Sequence, residues 1–96
     1  MTLADTKHFA ANLLAVCEMI ESVGMPELDK VYRTYESSWM FIWHKDDENN
    51  AYINVNHFGF VKCFLRVKDS CLIAEGLTEE TRAALLRAKA MMEGEG

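Results

Sequence analysis

From Ser38 to Glu75 apolar and polar residues alternate with a period close to two, and on either side of that stretch the period is helical. At the N-terminal end Phe9, Leu13, Val16, Ile20 and Val23 fall on one stripe, widened by Ala10, Leu14 and Cys17, with Lys7, Glu18 and Glu21 off it. That spacing predicts a helix from about Leu3 to Val23. Gly24 can take the left-handed conformation that ends a helix, and Pro26 cannot continue one. Pro26 also suits the first turn of a new helix, with Glu27 and Asp29 at its positive end. Leu28, Val31, Tyr32 and Tyr35 then predict a short second helix within Pro26–Glu36, although Val31-Tyr32-Arg33-Thr34-Tyr35 is equally good strand chemistry.

The period-two stretch predicts four strands. With Lys45–Asn50 as a loop, His44 opposes Ala51, Ile42 opposes Ile53 and Met40 opposes Val55. The other face then pairs Trp43 with Tyr52, Phe41 with Asn54 and Trp39 with Asn56. A turn at Asn56-His57-Phe58, eased by Gly59, sets Val61, Cys63, Leu65 and Val67 on the aliphatic side and Phe60, Lys62, Phe64 and Arg66 on the aromatic side. A second turn at Lys68-Asp69-Ser70 returns Cys71 and Ile73 to the aliphatic side. Thr78 caps a last helix, with Glu79 and Glu80 complementing its dipole and Thr81, Leu85, Ala88 and Met92 as its buried stripe.

The expected fold is therefore α+β: a four-stranded antiparallel β-meander with N- and C-terminal amphipathic helices packed mainly on one face, in the order α-α-β-β-β-β-α. Ninety-six residues, half of them hydrophobic and 26% charged, fit one globular domain over 1–93 with a frayed tail at 94–96.

The run Trp39-Met40-Phe41-Ile42-Trp43 is apolar on both faces of its strand, which implies cover on both sides of the sheet. Four strands about 4.8 Å apart span about 19 Å, and two helices about 10 Å apart cover one such face. The other face keeps Trp39, Phe41, Trp43, Tyr52, Phe60 and Phe64, each burying on the order of 150–250 Å² if enclosed. The expectation is an acidic protein-interaction domain that binds another protein, as regulator, adaptor or inhibitor, or a second copy of itself, through that aromatic face. Asp46, Asp47 and Glu48 are candidates for electrostatic steering of a basic partner. The alternative is a small-molecule pocket formed by Trp39, Phe41, Asn54 and His57.

Charge and cysteine usage narrow the classes. A net charge of −5 argues against nucleic acid, whose phosphates dominate affinity. Phe58-Gly59-Phe60-Val61, followed by Lys62 and Phe64, is similar to the aromatic strand motif of RNA-recognition folds. Asn56 and His57 stand at its basic and glycine positions, however, and Phe64 falls one residue late. No apolar run approaches the roughly 20 residues of a bilayer span, so no membrane is expected and the cytoplasm is the expected compartment. Cys17, Cys63 and Cys71 are odd in number without close pairing and predict reduced, buried thiols. His57, Cys63 and Cys71 lack the paired spacing of a structural metal site. Cys63 and His44, the one nucleophile–base pair on a shared face, lie two strand spacings apart, about 10 Å. No catalytic residue, metal or cofactor is therefore expected.

Overall fold

A computed structural model describes residues 2–94 and contains two helices and one antiparallel sheet. Helix α1 (Leu3–Val23) begins with a reciprocal cap. The Thr2 hydroxyl accepts from Asp5 N–H at 3.1 Å, and the Asp5 carboxylate accepts from Thr2 N–H at 3.0 Å. Donation to the carboxylate from Thr2, its backbone N–H first, holds the Asp5 carboxyl below the usual carboxylate range. The helix stops at Gly24, whose φ of 76° closes the last turn. Helix α2 (Glu79–Met92) starts at Thr78, whose hydroxyl accepts from Thr81 N–H, and carries Glu79 and Glu80 in its first turn. Lys89 in its last turn donates to the Val23 carbonyl, joining the C-terminal ends of the two helices. Glu95 and Gly96 of the expected frayed tail lie outside the described residues.

Between the helices run five strands, not four: β1 (Lys30–Arg33), β2 (Trp39–Asp46), β3 (Asn49–Val55), β4 (Val61–Val67) and β5 (Ser70–Glu75), neighbours in chain order throughout. The second helix expected within Pro26–Glu36 is replaced by an extended approach and strand β1. Asp29 N–H donates to the Ile42 carbonyl at 2.9 Å, and the Pro26 carbonyl accepts the Trp43 indole N–H at 3.0 Å. Both bonds lay the segment along β2. A helix there would have left the β2 edge unpaired, and β-branched and aromatic Val31-Tyr32 pair with it instead.

The expected β2–β3 register is also corrected, by one residue. Asp46 faces Asn49 across a two-residue turn at Asp47-Glu48, which by itself would continue into the expected pairs. A bulge between His44 and Asp46 inserts one extra residue on β2, so His44 pairs with Asn50, Trp43 with Ala51, Phe41 with Ile53 and Trp39 with Val55. A one-residue slip inverts every side chain. Trp39, Phe41 and Trp43 therefore share a face with Ala51, Ile53 and Val55, and not with Tyr52 and Phe64. The bulged Lys45 reaches toward that same helix-covered side, donating to the Met91 carbonyl near the end of α2 at 3.0 Å.

The β3–β4 faces agree with expectation, since Val55 pairs with Val61 and Ile53 with Cys63. The β4–β5 turn is shorter than expected, two residues at Lys68-Asp69, with Lys68 at φ 54°. Leu72 and Ala74 consequently turn inward, while Cys71 and Ile73 turn outward.

Both helices lie on the face carrying Phe41, Trp43, Ile53, Cys63 and Leu65, and Val16, Leu85 and Ala88 close that core from above. No helix of the described residues is long and apolar enough to cross a membrane.

Candidate functional site: the open face of the sheet

Registers from β1 to β5 align three rows of side chains on the face that no helix covers. The middle row reads Lys30, Ile42, Tyr52, Phe64 and Ile73. One flank reads Tyr32, Met40, Asn54, Lys62 and Glu75. The other reads His44, Asn50, Arg66 and Cys71. An antiparallel sheet with one solvated face ordinarily makes that face polar. Here an apolar belt four residues long crosses it from β2 to β5.

Tyr52 and Phe64 form the centre of the belt, stacked with centroids 5.1 Å apart and planes at 17°. Two rings lying side by side in one plane need more room than that. The pair therefore overlaps face to face across the strands, and each ring covers part of the other. Ile73 at the β5 end is 52% exposed. At the β1 edge the Lys30 ammonium sits 5.7 Å from the Tyr32 ring centre. Beyond the strands, Asn56 N–H donates to the Phe60 carbonyl at 3.0 Å and continues the β3–β4 ladder into the loop. This puts Phe60, 69% exposed, on the Lys62 side.

The six aromatic residues singled out from the sequence are thus divided. Tyr52, Phe60 and Phe64 lie on the open side; Phe41 and Trp43 are buried under the helices, Trp43 with no exposed surface. Trp39 is half-buried in a groove of about 330 Å³ with Phe9, Arg33 and His57. The four residues expected to make a small-molecule pocket do not converge either. Trp39 and His57 share that groove, Phe41 is buried, and Asn54 lies on the opposite sheet face. Asn54 instead lines a cleft of about 470 Å³ with His8, Asn12, Asn56, Lys62 and Glu75. The loop at Gly59 closes one side of this cleft, so tightly that a Cβ there would come within 2.7 Å of Asn12 Nδ2.

The acidic turn has a structural duty. Asp46 accepts from the Asn49 amide and from Glu48 N–H, and these bonds, Asn49 first, hold its carboxyl below the usual range. Asp47 is fully exposed, 3.7 Å from the His44 imidazole. The cysteines separate as well. Cys63 is buried and its thiol is pushed up to about 11 by burial, and Cys17, half-buried, is raised by burial first and Glu21 second. Cys71, expected to be buried, is exposed on the open face because the β4–β5 turn reverses it. His44 and Cys63 lie on opposite sheet faces. Among the described residues no three His, Cys, Asp or Glu side chains gather into a metal cage.

Ile42, Met40, Ile73, Lys30 and Tyr32 belong to the open face and were not anticipated there. The β2 members had no signal in the sequence, because the tight turn Asp46-Asp47-Glu48-Asn49 alone leads to the expected pairs and only the bulge beside Lys45 turns Met40 and Ile42 outward. No protein-family model, curated protein or solved structure matches the chain.

Proposed function

We propose that this is a protein-binding domain whose working surface is the open face of its sheet. The observation that carries the reading is the belt Ile42, Tyr52, Phe64 and Ile73, apolar across four adjacent strands, with neither helix of the described residues packed on it. Contiguous apolar patches of this kind on small domains commonly mark contact surfaces, and aromatic pairs surrounded by polar side chains have the composition of a binding hot spot. The polar flanks, with Asn50, Asn54, Lys62 and Arg66, supply the rim that fixes orientation.

Expressed with an affinity tag in its own cells, the chain should elute in gel filtration well above its 11.0 kDa monomer mass. The Tyr52→Glu/Phe64→Glu variant, with an unchanged circular-dichroism spectrum, should elute at the monomer mass. Elution of the unaltered chain as a monomer, from dilute and concentrated lysates alike, contradicts the reading.

A second reading is supported by the cleft beside Asn54 and Asn12, whose volume lies in the range of small-ligand sites. A metabolite that raises the melting temperature of the unaltered chain but not of Asn12→Leu would favour it.

A further inference from the structure

Resting on the docking reading, we infer that the occupant of the open face is an acidic segment of another protein, and not a second copy of this chain. In a chain of formal charge −5, the strand rows of this face carry three cations, Lys30, Lys62 and Arg66, against one carboxylate, Glu75. Lys62 stands opposite Glu75 in register, yet the described residues contain no ion pair between them; the one recorded is His44 with Asp47. The cations border the belt on three sides: Lys30 at its β1 end, Lys62 in one flanking row and Arg66 in the other. Asp47 and Glu48 lie beyond the His44 row, in the turn at one end of the face.

A closed two-fold dimer presents the same patch twice. Face against face, the three cations of one copy would oppose the three of the other with one carboxylate on each side to offset them, and like charges juxtaposed at an interface are costly. Setting the face on the acidic remainder of another copy is a head-to-tail contact, which propagates into a filament unless the rotation happens to close. A partner with carboxylates flanking apolar side chains satisfies belt and cations together. Single-stranded nucleic acid also brings negative charge, but it binds by stacking bases on open ring faces. Tyr52 and Phe64 use part of theirs on each other.

The test selects random peptides displayed on phage against the immobilised full-length chain, then measures synthetic copies of the selected peptides by titration. Enrichment of Asp and Glu around aromatic or aliphatic residues is expected. Lys62→Glu/Arg66→Glu, both exposed positions, should weaken the selected peptide about tenfold without shifting the melting curve. Neutral or basic peptides that need Tyr52 and Phe64 but ignore the charge reversal overturn the inference and leave the docking reading standing. So does a dimer in sedimentation that Phe64→Glu dissolves. Retention of oligothymidine, lost in Phe64→Ala, overturns it in favour of nucleic acid. Peptides that bind Tyr52→Ala/Phe64→Ala as well as the unaltered chain overturn both.

Discussion

The two faces of this sheet are built from the same strands, one residue out of step, and they have opposite fates. On one, the row Val31, Phe41, Ile53, Cys63 and Ala74 lies largely beneath two helices. On the other, the adjacent row Lys30, Ile42, Tyr52, Phe64 and Ile73 lies beneath neither helix of the described residues. The helix-covered face binds its largest ring into the backbone, since the Trp43 indole donates to Pro26. The rings of the open face contact each other and water. The apolar character of the first is explained by folding; that of the second is what the docking proposal explains.

Substitutions should separate the faces most strongly at their centres. Trp43→Ala should cost about 3–5 kcal/mol, by cavity formation and loss of the Pro26 bond, whereas Phe64→Ala should cost about 1 kcal/mol because its site is already open. Urea unfolding measures both, and near-equal costs would erase the distinction between the faces.

The buried thiol gives a pH test of the covered face. The folded state holds the Cys63 proton up to about 11, while an unfolded thiol releases it near 9.0. The raised value means that the contribution is complete below pH 9 and is lost as pH rises from 9 to 11. The loss amounts to about 2–3 kcal/mol at about 1.4 kcal/mol per unit. The difference in stability between the unaltered chain and Cys63→Ala should therefore shrink over that window. A constant difference would mean that water reaches Cys63. Iodoacetamide at neutral pH should modify Cys71 well before Cys63, as read by peptide mass mapping.

A smaller effect is expected at the loop that closes the Asn54 cleft. Gly59 has φ 88°, and a methyl group would press on Asn12 and His8, so Gly59→Ala should lower stability by about 1–2 kcal/mol. An unchanged melting curve would mean that α1 does not hold this loop.

Much of the fold was legible from local chemistry. Gly24 followed by Pro26, and Thr78 followed by Glu79 and Glu80, marked helix ends because caps are decided within a few residues. Val55, Val61 and Cys63 announced their shared face because nothing interrupts their alternation. Illegible were the places where one residue changes parity: the bulge beside Lys45 and the two-residue turn at Lys68-Asp69. Trp39 and Ile42 are both apolar, so hydropathy could not report which of them the bulge turned outward. The Val31-Tyr32 segment had equal helix and strand chemistry, and the free edge of β2 decided it. The candidate face inherits these slips: of its six expected aromatics, Tyr52, Phe60 and Phe64 lie on the open side, Trp39, Phe41 and Trp43 lie on the other, and Ile42 and Ile73, expected in the core, lie on the open side.

The central claim is that the open face is covered by another protein in the cell. Its most direct test places the photo-cross-linking residue benzoylphenylalanine at Phe64, and as controls at Leu14 and Leu86, exposed apolar positions on α1 and α2. Irradiation of living cells should give a discrete protein adduct from position 64 and none from the two helix positions. Adducts of equal yield from all three positions, or none from position 64, would contradict the account.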